Sequence, residues 1–202
     1  MRRRAARYVG AGALLAVAGA AALLSLAGRG DAHPFDPLAE DICIVAPPTP
    51  YDPASGQPML APRPLPAQAR CPVCGMYPAR APRWAAQLIF EDGAAQFFDS
   101  PANLFIFTRN MGRYTSAHGA SDVAASFVTD AASGAWIALH EAHFVHGSDA
   151  HGPMRDGNLP AFASRTAAAA FAAERGGVVL SAAAITDDIL RPFDRGRHAP
   201  RH

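Results

Sequence analysis

The sequence contains no lysine, and its three cysteines are few for a chain of 202 residues. All 18 basic residues are arginines, and they nearly balance the 17 acidic residues, so that the net charge is only +1. A chain of this charge has no basic surplus with which to hold a nucleic-acid backbone. Three cysteines are also too few for a disulfide scaffold, and since the number is odd, at least one of them is free or a metal ligand.

Signatures of common enzyme classes are missing as well. The sequence has no phosphate-binding loop, no dinucleotide-binding fingerprint and no serine-histidine-aspartate pattern. Asp99 ends a predicted strand and could be catalytic there, but we expect its carboxylate to stabilise the start of the following helix. We therefore predict that the protein is not an enzyme.

Residues 1–32 have the pattern of a signal peptide or membrane anchor. MRRRAAR supplies positive charge, and the uncharged run that follows is long enough to span a bilayer at about 1.5 Å per residue. The arginines favour a cytoplasmic N-terminus with the rest of the chain outside. We therefore predict a periplasmic protein, either released or anchored in the inner membrane. Arg29 stands where a lipoprotein signal requires cysteine, which excludes lipidation at that position.

A proline-rich segment follows. Thirteen of the 18 prolines lie between Pro34 and Pro82, and proline removes backbone donors and fixes φ near about −65°. Residues 33–69 are therefore predicted to form an extended arm or linker, in which DICIVA around Cys43 is either a short strand or part of a flexible spacer. At the other end, residues 191–202 combine arginines with little apolar content, which predicts a basic, disordered tail.

Residues 70–190 have the alternation of apolar runs and caps that is typical of an α+β fold. Asp92 and Gly93 separate two apolar runs and predict a β-hairpin. Ser100 then caps a predicted helix that Gly112 ends, and a third strand follows over residues 122–131.

The same order of elements then recurs. A long strand is predicted over residues 134–147, a short strand over 158–163, a helix between Ser164 and Gly176, and a closing strand after it. This repetition predicts two small β-β-α-β lobes, at about residues 70–131 and 132–190. The alternative is one α+β domain without an internal repeat.

Cys71 and Cys74 form a C-x-x-C pair within RCPVCGMYPA. A structural zinc site needs a second pair or matching histidines, and a haem attachment needs histidine where Gly75 stands. Pro78 and Pro82 argue against the helix that a thioredoxin-type dithiol requires after its cysteines. Three interpretations remain open: a structural disulfide, an exported thiol-disulfide redox protein, and a thiolate-and-thioether site for copper(I), an ion that soft sulfur donors select.

Other candidate metal ligands lie near the cysteine pair or in the second half of the chain. Met76 closely follows the pair, and Met154 stands in the polar, Gly/Pro-rich stretch AHGPMRDGNLP, where packing gives little reason for a methionine. Four histidines fall within residues 140–151. We expect most of them on the surface, with His146 and His151, beside the Met154 loop, as the better ligand candidates.

Four segments, taken in order, resemble the NosL family, whose members are accessory proteins of nitrous oxide reductase. They are CPVCGMYPA, FFDSPANL, GAWIALHEAHFV, and GPM followed by PAFASRTAAAAFAAERGGVVL. The resemblance covers about residues 70–190 and implies two β-β-α-β lobes similar in fold to organomercurial lyase. It also implies an extracytoplasmic copper(I) chaperone that supplies the copper-sulfide centre of nitrous oxide reductase together with a membrane transporter complex.

The resemblance also implies which residues bind copper. The family's cysteine before Gly-Met matches Cys74, and its loop methionine after Gly-Pro matches Met154. A third ligand is expected from Cys71, Met76 or a histidine such as His151. A lyase acting on metal-carbon bonds, which the fold similarity suggests, would need a further cysteine and an acid arrangement that we do not expect in this sequence.

Overall fold

The computed structural model describes residues 46–153, 155 and 159–195, all within the compact unit Ile42–His202. The predicted signal or anchor, the segment around Cys43 and Met154 lie outside the described residues. Within the described ranges, no helix is both long and apolar enough to cross a membrane.

The described residues contain seven strands and three α-helices. These are β1 Ala86–Phe90, β2 Ala95–Phe98, α1 Pro101–Arg109, β3 Val123–Thr129, β4 Trp136–Ala138, β5 His143–His146, β6 Ala161–Phe162, α2 Arg165–Arg175, β7 Val178–Ser181 and α3 Asp187–Arg195. The first four strands form a sheet in the order β2-β1-β3-β4, and the last three form a sheet in the order β6-β5-β7. All pairings within these sheets are antiparallel.

The two sheets repeat one topology. In each, the first strand is central, the next strand lies on one side of it, and the strand that follows the helix lies on the other. The predicted α+β class and the two β-β-α-β lobes are therefore confirmed. Ser100 and Ser164 cap α1 and α2 as predicted, since each hydroxyl accepts the backbone N–H three residues on, at 3.3 and 3.1 Å.

The strand predicted over residues 134–147 is two strands in the structure. Residues 139–142 form a turn in which the Glu141 N–H donates to the Ala138 carbonyl at 3.1 Å. The chain leaves the first sheet at this turn, because β4 pairs with β3 whereas β5 pairs with β6 and β7. By sheet membership, the lobes thus divide at residues 139–142 rather than before residue 132.

The end of the folded part also differs from the prediction. Residues 191–195, predicted to begin a disordered tail, complete α3, while residues 196–202 lie outside the described part. Leu190 and Phe193 are buried in the main core, and Arg109 of α1 pairs with Asp187 at 3.1 Å. Because these two apolar residues are three positions apart, they share one face of α3, and this face is buried. The prediction of disorder rested on the arginine-rich composition and did not use this spacing.

The proline-rich arm lies along the first sheet. Thr49 exchanges two backbone hydrogen bonds of 2.8 Å with Ala95 of β2. The Gln87 side chain accepts the Arg63 N–H at 2.9 Å and donates to the Arg63 carbonyl at 3.1 Å. Leu65 packs against the apolar side chains on the same face. The arm therefore covers this sheet and leads directly into the cysteine loop.

One buried apolar cluster joins the two lobes. Phe105 of α1 and Phe144 of β5 meet edge to face, with ring centroids 5.4 Å apart. Cys71 and Leu159 belong to the same cluster, and Cys74 packs against it. The cysteine loop is thus attached to the core at the junction of the lobes.

Asp130 forms a second contact between the lobes. Its Oδ1 accepts the Ala163 N–H at 3.2 Å, and its Oδ2 accepts the Ser133 hydroxyl at 2.6 Å and the Ser133 N–H at 3.2 Å. Beside it, the Ala131 N–H donates to the Ala161 carbonyl at 2.8 Å. Burial alone would raise the pKa of Asp130, but the hydrogen bonds to its carboxylate outweigh burial, and the pKa is lowered.

We expect Asp130→Asn to lower the free energy of unfolding by about 1–3 kcal/mol at neutral pH, because it weakens this buried network. The lowered pKa means that the carboxylate stabilises the fold above its unfolded-state pKa of about 3.9 and that this contribution is lost as the pH falls through the folded-state value. Urea unfolding at about pH 7 and about pH 3 measures both effects.

Asp149→Asn is the matched control, since Asp149 pairs with Arg175 at the exposed surface and such pairs contribute little. An Asp130→Asn effect no larger than the control's, or one that grows in acid, would contradict this role of Asp130.

Candidate metal centre

Residues 71–76 form a closed loop that carries both cysteines of the C-x-x-C pair. The Cys71 N–H donates to the Met76 carbonyl, and the Gly75 N–H donates to the Cys71 carbonyl, each at 2.8 Å. Gly75 has φ 74°, a left-handed conformation that glycine adopts without the strain of a side chain. These two hydrogen bonds fix Cys71 and Cys74 on the same tight turn.

The two sulfurs and a carboxylate oxygen of Asp99 lie within 4.8 Å of one another. Cys71 and Asp99 are fully buried, whereas Cys74 is only half-buried. Both cysteines are free thiols. The end of β2 therefore supplies a carboxylate to the cysteine loop, and Cys74 is the more accessible of the two sulfurs.

Asn103, in the first turns of α1, connects members of this cluster. Its Nδ2 donates to the Cys74 Sγ at 3.4 Å and to the Asp99 Oδ1 at 2.5 Å. Its own N–H is the one that the Ser100 cap accepts, so the start of the helix fixes its position. The second oxygen of Asp99, Oδ2, is buried without a hydrogen-bond partner among the described residues.

The role of Asp99 was underestimated from the sequence. Ser100 provides the side-chain cap of α1, while the Asp99 carboxylate faces the two sulfurs. The acid beside the cysteines, which was not expected, is thus present. The segment FDSPAN contains a signal, because Asp99 and Asn103 stand four residues apart and would approach each other at the start of a helix. The cysteine loop that they contact lies elsewhere in the sequence.

Burial raises the pKa of the Cys71 thiol well above its ordinary value. The hydrogen bond with Cys74 and the charges of Asp99 and Cys74 act in the same direction, whereas the Asp99 backbone N–H acts in the opposite one. Cys71 is therefore a neutral thiol at physiological pH in the metal-free protein. A metal that binds its sulfur must displace that proton.

The other predicted ligands are two methionines and two histidines. Met76 is half-buried, and its carbonyl closes the loop, whereas His151 is exposed and His146 half-buried. Among the described residues, no histidine joins the cluster of cysteines and aspartate. Met154 lies outside the described residues, but Leu159, at the end of its loop, belongs to the same buried cluster as Cys71.

This donor set suits a thiophilic ion. Thiolates favour soft ions such as copper(I), and a carboxylate is a hard donor that such ions bind poorly. Cys71 and Cys74 therefore supply two favourable ligands, and Asp99 with Asn103 surrounds them with polar groups that orient the loop.

We expect Asn103→Ala to lower the free energy of unfolding by about 1–3 kcal/mol, because it removes the donor to a buried carboxylate and to a thiol. Asn110→Ala, at the exposed C-terminal end of the same helix, is the matched control and should change stability by less than about 0.5 kcal/mol. Equal unfolding midpoints in urea for the two variants would show that Asn103 does not hold the cluster.

Comparisons with known proteins agree with this architecture. A family model described as NosL matches residues 62–190, which is more than half of the chain. The crystal structure of the copper chaperone NosL from Shewanella denitrificans is similar with a TM-score of 0.57 and 22% identity, over 65% of this chain and 99% of that one. The solution structure of apo-NosL from Achromobacter cycloclastes is 30% identical over 52% of this chain and 87% of that one, with a TM-score of 0.39.

No curated protein sequence matches the chain. The likeness to the crystal structure shows a shared fold, and the family match spans the cysteine loop, both sheets and the helices that pack on them. The resemblance that four sequence segments indicated is thereby confirmed, and the chain belongs to the NosL family.

Proposed function

We propose that the protein is a copper(I) chaperone that binds its ion through the thiolates of Cys71 and Cys74. The observation that carries this proposal is the convergence of the two sulfurs, within 4.8 Å, on one hydrogen-bonded loop. Two thiolates select copper(I) over harder ions. Membership of the NosL family and the similarity in fold to a copper chaperone of that family support the choice of copper.

The exposure of the two sulfurs suits a carrier better than a storage site or an enzyme. Cys71 is buried, while Cys74 is reached from solvent. A thiolate of a receiving protein could attack the ion and displace Cys74, so that one copper-sulfur bond forms as another breaks and the oxidation state is unchanged. The released Cys74 takes a proton from water, and Cys71 regains its own when the ion leaves.

Met154 is our candidate for the third ligand. A thioether from this loop would complete a soft, low-coordinate site. Leu159, five residues after Met154 in the sequence, is buried in the same apolar cluster as Cys71, which supports this choice. Met76, within the cysteine loop, and His151 are the alternatives.

We further propose that the recipient is the copper-sulfide centre of nitrous oxide reductase, reached with the help of a membrane transporter complex. Family membership supports this recipient. A periplasmic location is supported by the charged and apolar pattern of residues 1–32.

Anaerobic copper transfer tests the function. The copper(I)-loaded full chain is mixed with apo-nitrous oxide reductase and its transporter complex, and the copper content and activity of the enzyme are followed. We expect copper to leave the chaperone and the enzyme to gain activity. The control is free copper(I) at the same concentration as the copper carried by the chaperone. Retention of copper by the chain, or equal activation by free copper, would overturn the proposal.

The two adjacent free thiols also support the alternative of an exported thiol-disulfide redox protein. Copper-free protein is assayed for catalysed disulfide exchange, and the reduction potential of the pair is measured. Catalysis without copper, with a potential in the range of about −120 to −270 mV that redox-active dithiols show, would favour this alternative.

A further inference from the structure

Two arginines contact the cysteine loop through a shared tyrosine. The Arg70 guanidinium lies 4.4 Å and the Arg80 guanidinium 4.9 Å from the centroid of the Tyr77 ring. Arg70 also donates to the Tyr77 hydroxyl and, at 3.4 Å, to the Gly75 carbonyl of the loop. Both arginines are exposed. Two positive charges thus stand at the surface around Tyr77, the residue that directly follows the cysteine loop.

Within the described part of the chain, no carboxylate pairs with either of these two arginines. Residues 53–90 contain no aspartate or glutamate. Among the residues that the structure describes, none of the ion pairs involves Arg70 or Arg80. The carboxylate of Asp99, behind the loop, is fully buried. The described surface around Tyr77, next to the loop that carries Cys74, therefore has two positive charges without a carboxylate partner, although the whole chain is close to neutral.

We propose that Arg70 and Arg80 form a docking surface for an acidic patch on the protein that receives the metal. Stacking on Tyr77 fixes where the two charges stand at little cost in side-chain freedom. Two exposed positive charges that form no ion pair with the described residues add little to the stability of the fold. They can, however, steer a negatively charged protein into one orientation. Here that orientation places the partner's acidic patch against the loop that carries Cys74.

The partner, in this account, carries acidic side chains around its own sulfur ligands. The surface suits a protein partner because it adjoins the loop whose accessible thiol, Cys74, would exchange the ion. This inference rests on the proposed copper transfer, but the docking itself requires no metal and is measured separately.

The test uses two synthetic acceptor peptides with the same Cys-x-x-Cys pair, flanked by glutamates in one and by glutamines in the other. Transfer of copper(I) from the loaded full chain is timed by stopped flow at about 10 mM and about 150 mM salt, where electrostatic screening differs. We expect the glutamate peptide to take copper at least about tenfold faster at low salt, with the advantage reduced at high salt.

Arg80→Gln is the decisive variant. Among the described residues, the Arg80 guanidinium lies over the Tyr77 ring and makes no side-chain hydrogen bond or ion pair. The variant should lose most of the advantage of the glutamate peptide while its copper(I) affinity stays unchanged. Arg165→Gln, an exposed arginine at the start of α2, removes the same charge elsewhere and should keep the advantage. Equal rates for the two peptides, or equal effects of the two variants, would overturn the docking surface.

A copper-free arm separates this inference from the proposed function. Glutamate and glutamine peptides without cysteine are titrated into the metal-free full chain, and backbone amide shifts are followed by NMR. Shifts at residues 70–80 with the glutamate peptide alone, absent in Arg80→Gln, support docking even if the chain binds no copper. Arg80-dependent binding to phosphatidylglycerol vesicles without a response to the peptide would assign the surface to a membrane and contradict the proposal.

Discussion

Cys74→Ser should lower the copper(I) affinity of the protein. The loss should exceed the roughly 10–100-fold by which removal of an outer-shell partner weakens a metal site. The reason is that a serine hydroxyl is a hard donor that stays protonated near neutral pH, so Cys71 would be left as the only thiolate in the described cluster. Anaerobic competition with a chromophoric copper(I) chelator measures the affinity. Stability should change little, because Cys74 is half-buried.

Cys43→Ser is the matched control for this variant. It removes the third thiol of the chain, which is not part of the C-x-x-C pair, and should leave the affinity unchanged. If Cys74→Ser binds copper(I) as tightly as Cys43→Ser does, the assignment of Cys74 is wrong.

Cys71→Ser should impair both copper binding and folding. Cys71 is fully buried within the apolar cluster that joins the lobes, and replacing its sulfur there by a smaller and more strongly hydrated hydroxyl costs about 1–3 kcal/mol. The loss of the second thiolate should lower copper(I) affinity by about as much as Cys74→Ser. Urea unfolding of the metal-free variants separates the effects, since only the Cys71 variant should unfold at a clearly lower midpoint.

The free energy of unfolding of the metal-free protein should fall in mild alkali because of the Cys71 thiol. Burial raises the pKa of this thiol in the folded state, so above about pH 8.5 the unfolded chain releases a proton that the folded chain retains. The contribution of Cys71 is thus fully present below that pH and declines as the pH rises. Cys71→Ala should show a smaller decline between about pH 7 and pH 9.5, and an unchanged decline would contradict the shift.

Local sequence signals predicted much of the fold because they act over a few residues. The turn at Gly93 and the hydroxyl caps at Ser100 and Ser164 need only their neighbours along the chain. Their repetition in the same order also indicated the two lobes. The strand break at residues 139–142 did not follow from such signals, since WIALHEAHFV is continuously suited to a strand and its pairing partners lie in different sheets.

Of the candidate metal centre, only the part carried by local sequence could be predicted. Cys71 and Cys74 stand three positions apart in the sequence, and this spacing is typical of metal-binding or redox-active cysteine pairs. Asp99 and Asn103 reach them only because β2 and α1 pack beside the loop, a contact that no local pattern encodes. The arginines on Tyr77 were likewise hidden by a net charge of only +1.

X-ray absorption at the copper edge of the loaded full chain tests the central claim most directly. We predict copper in the +1 state with two or three ligands in its inner shell. If Cys71, Cys74 and Met154 bind the ion together, all of these ligands are sulfur. The Met154→Ala variant should then lose one sulfur and retain two. An inner shell made mainly of nitrogen and oxygen, or a sulfur count that is unchanged in Cys74→Ser, would contradict a chaperone site built on this loop.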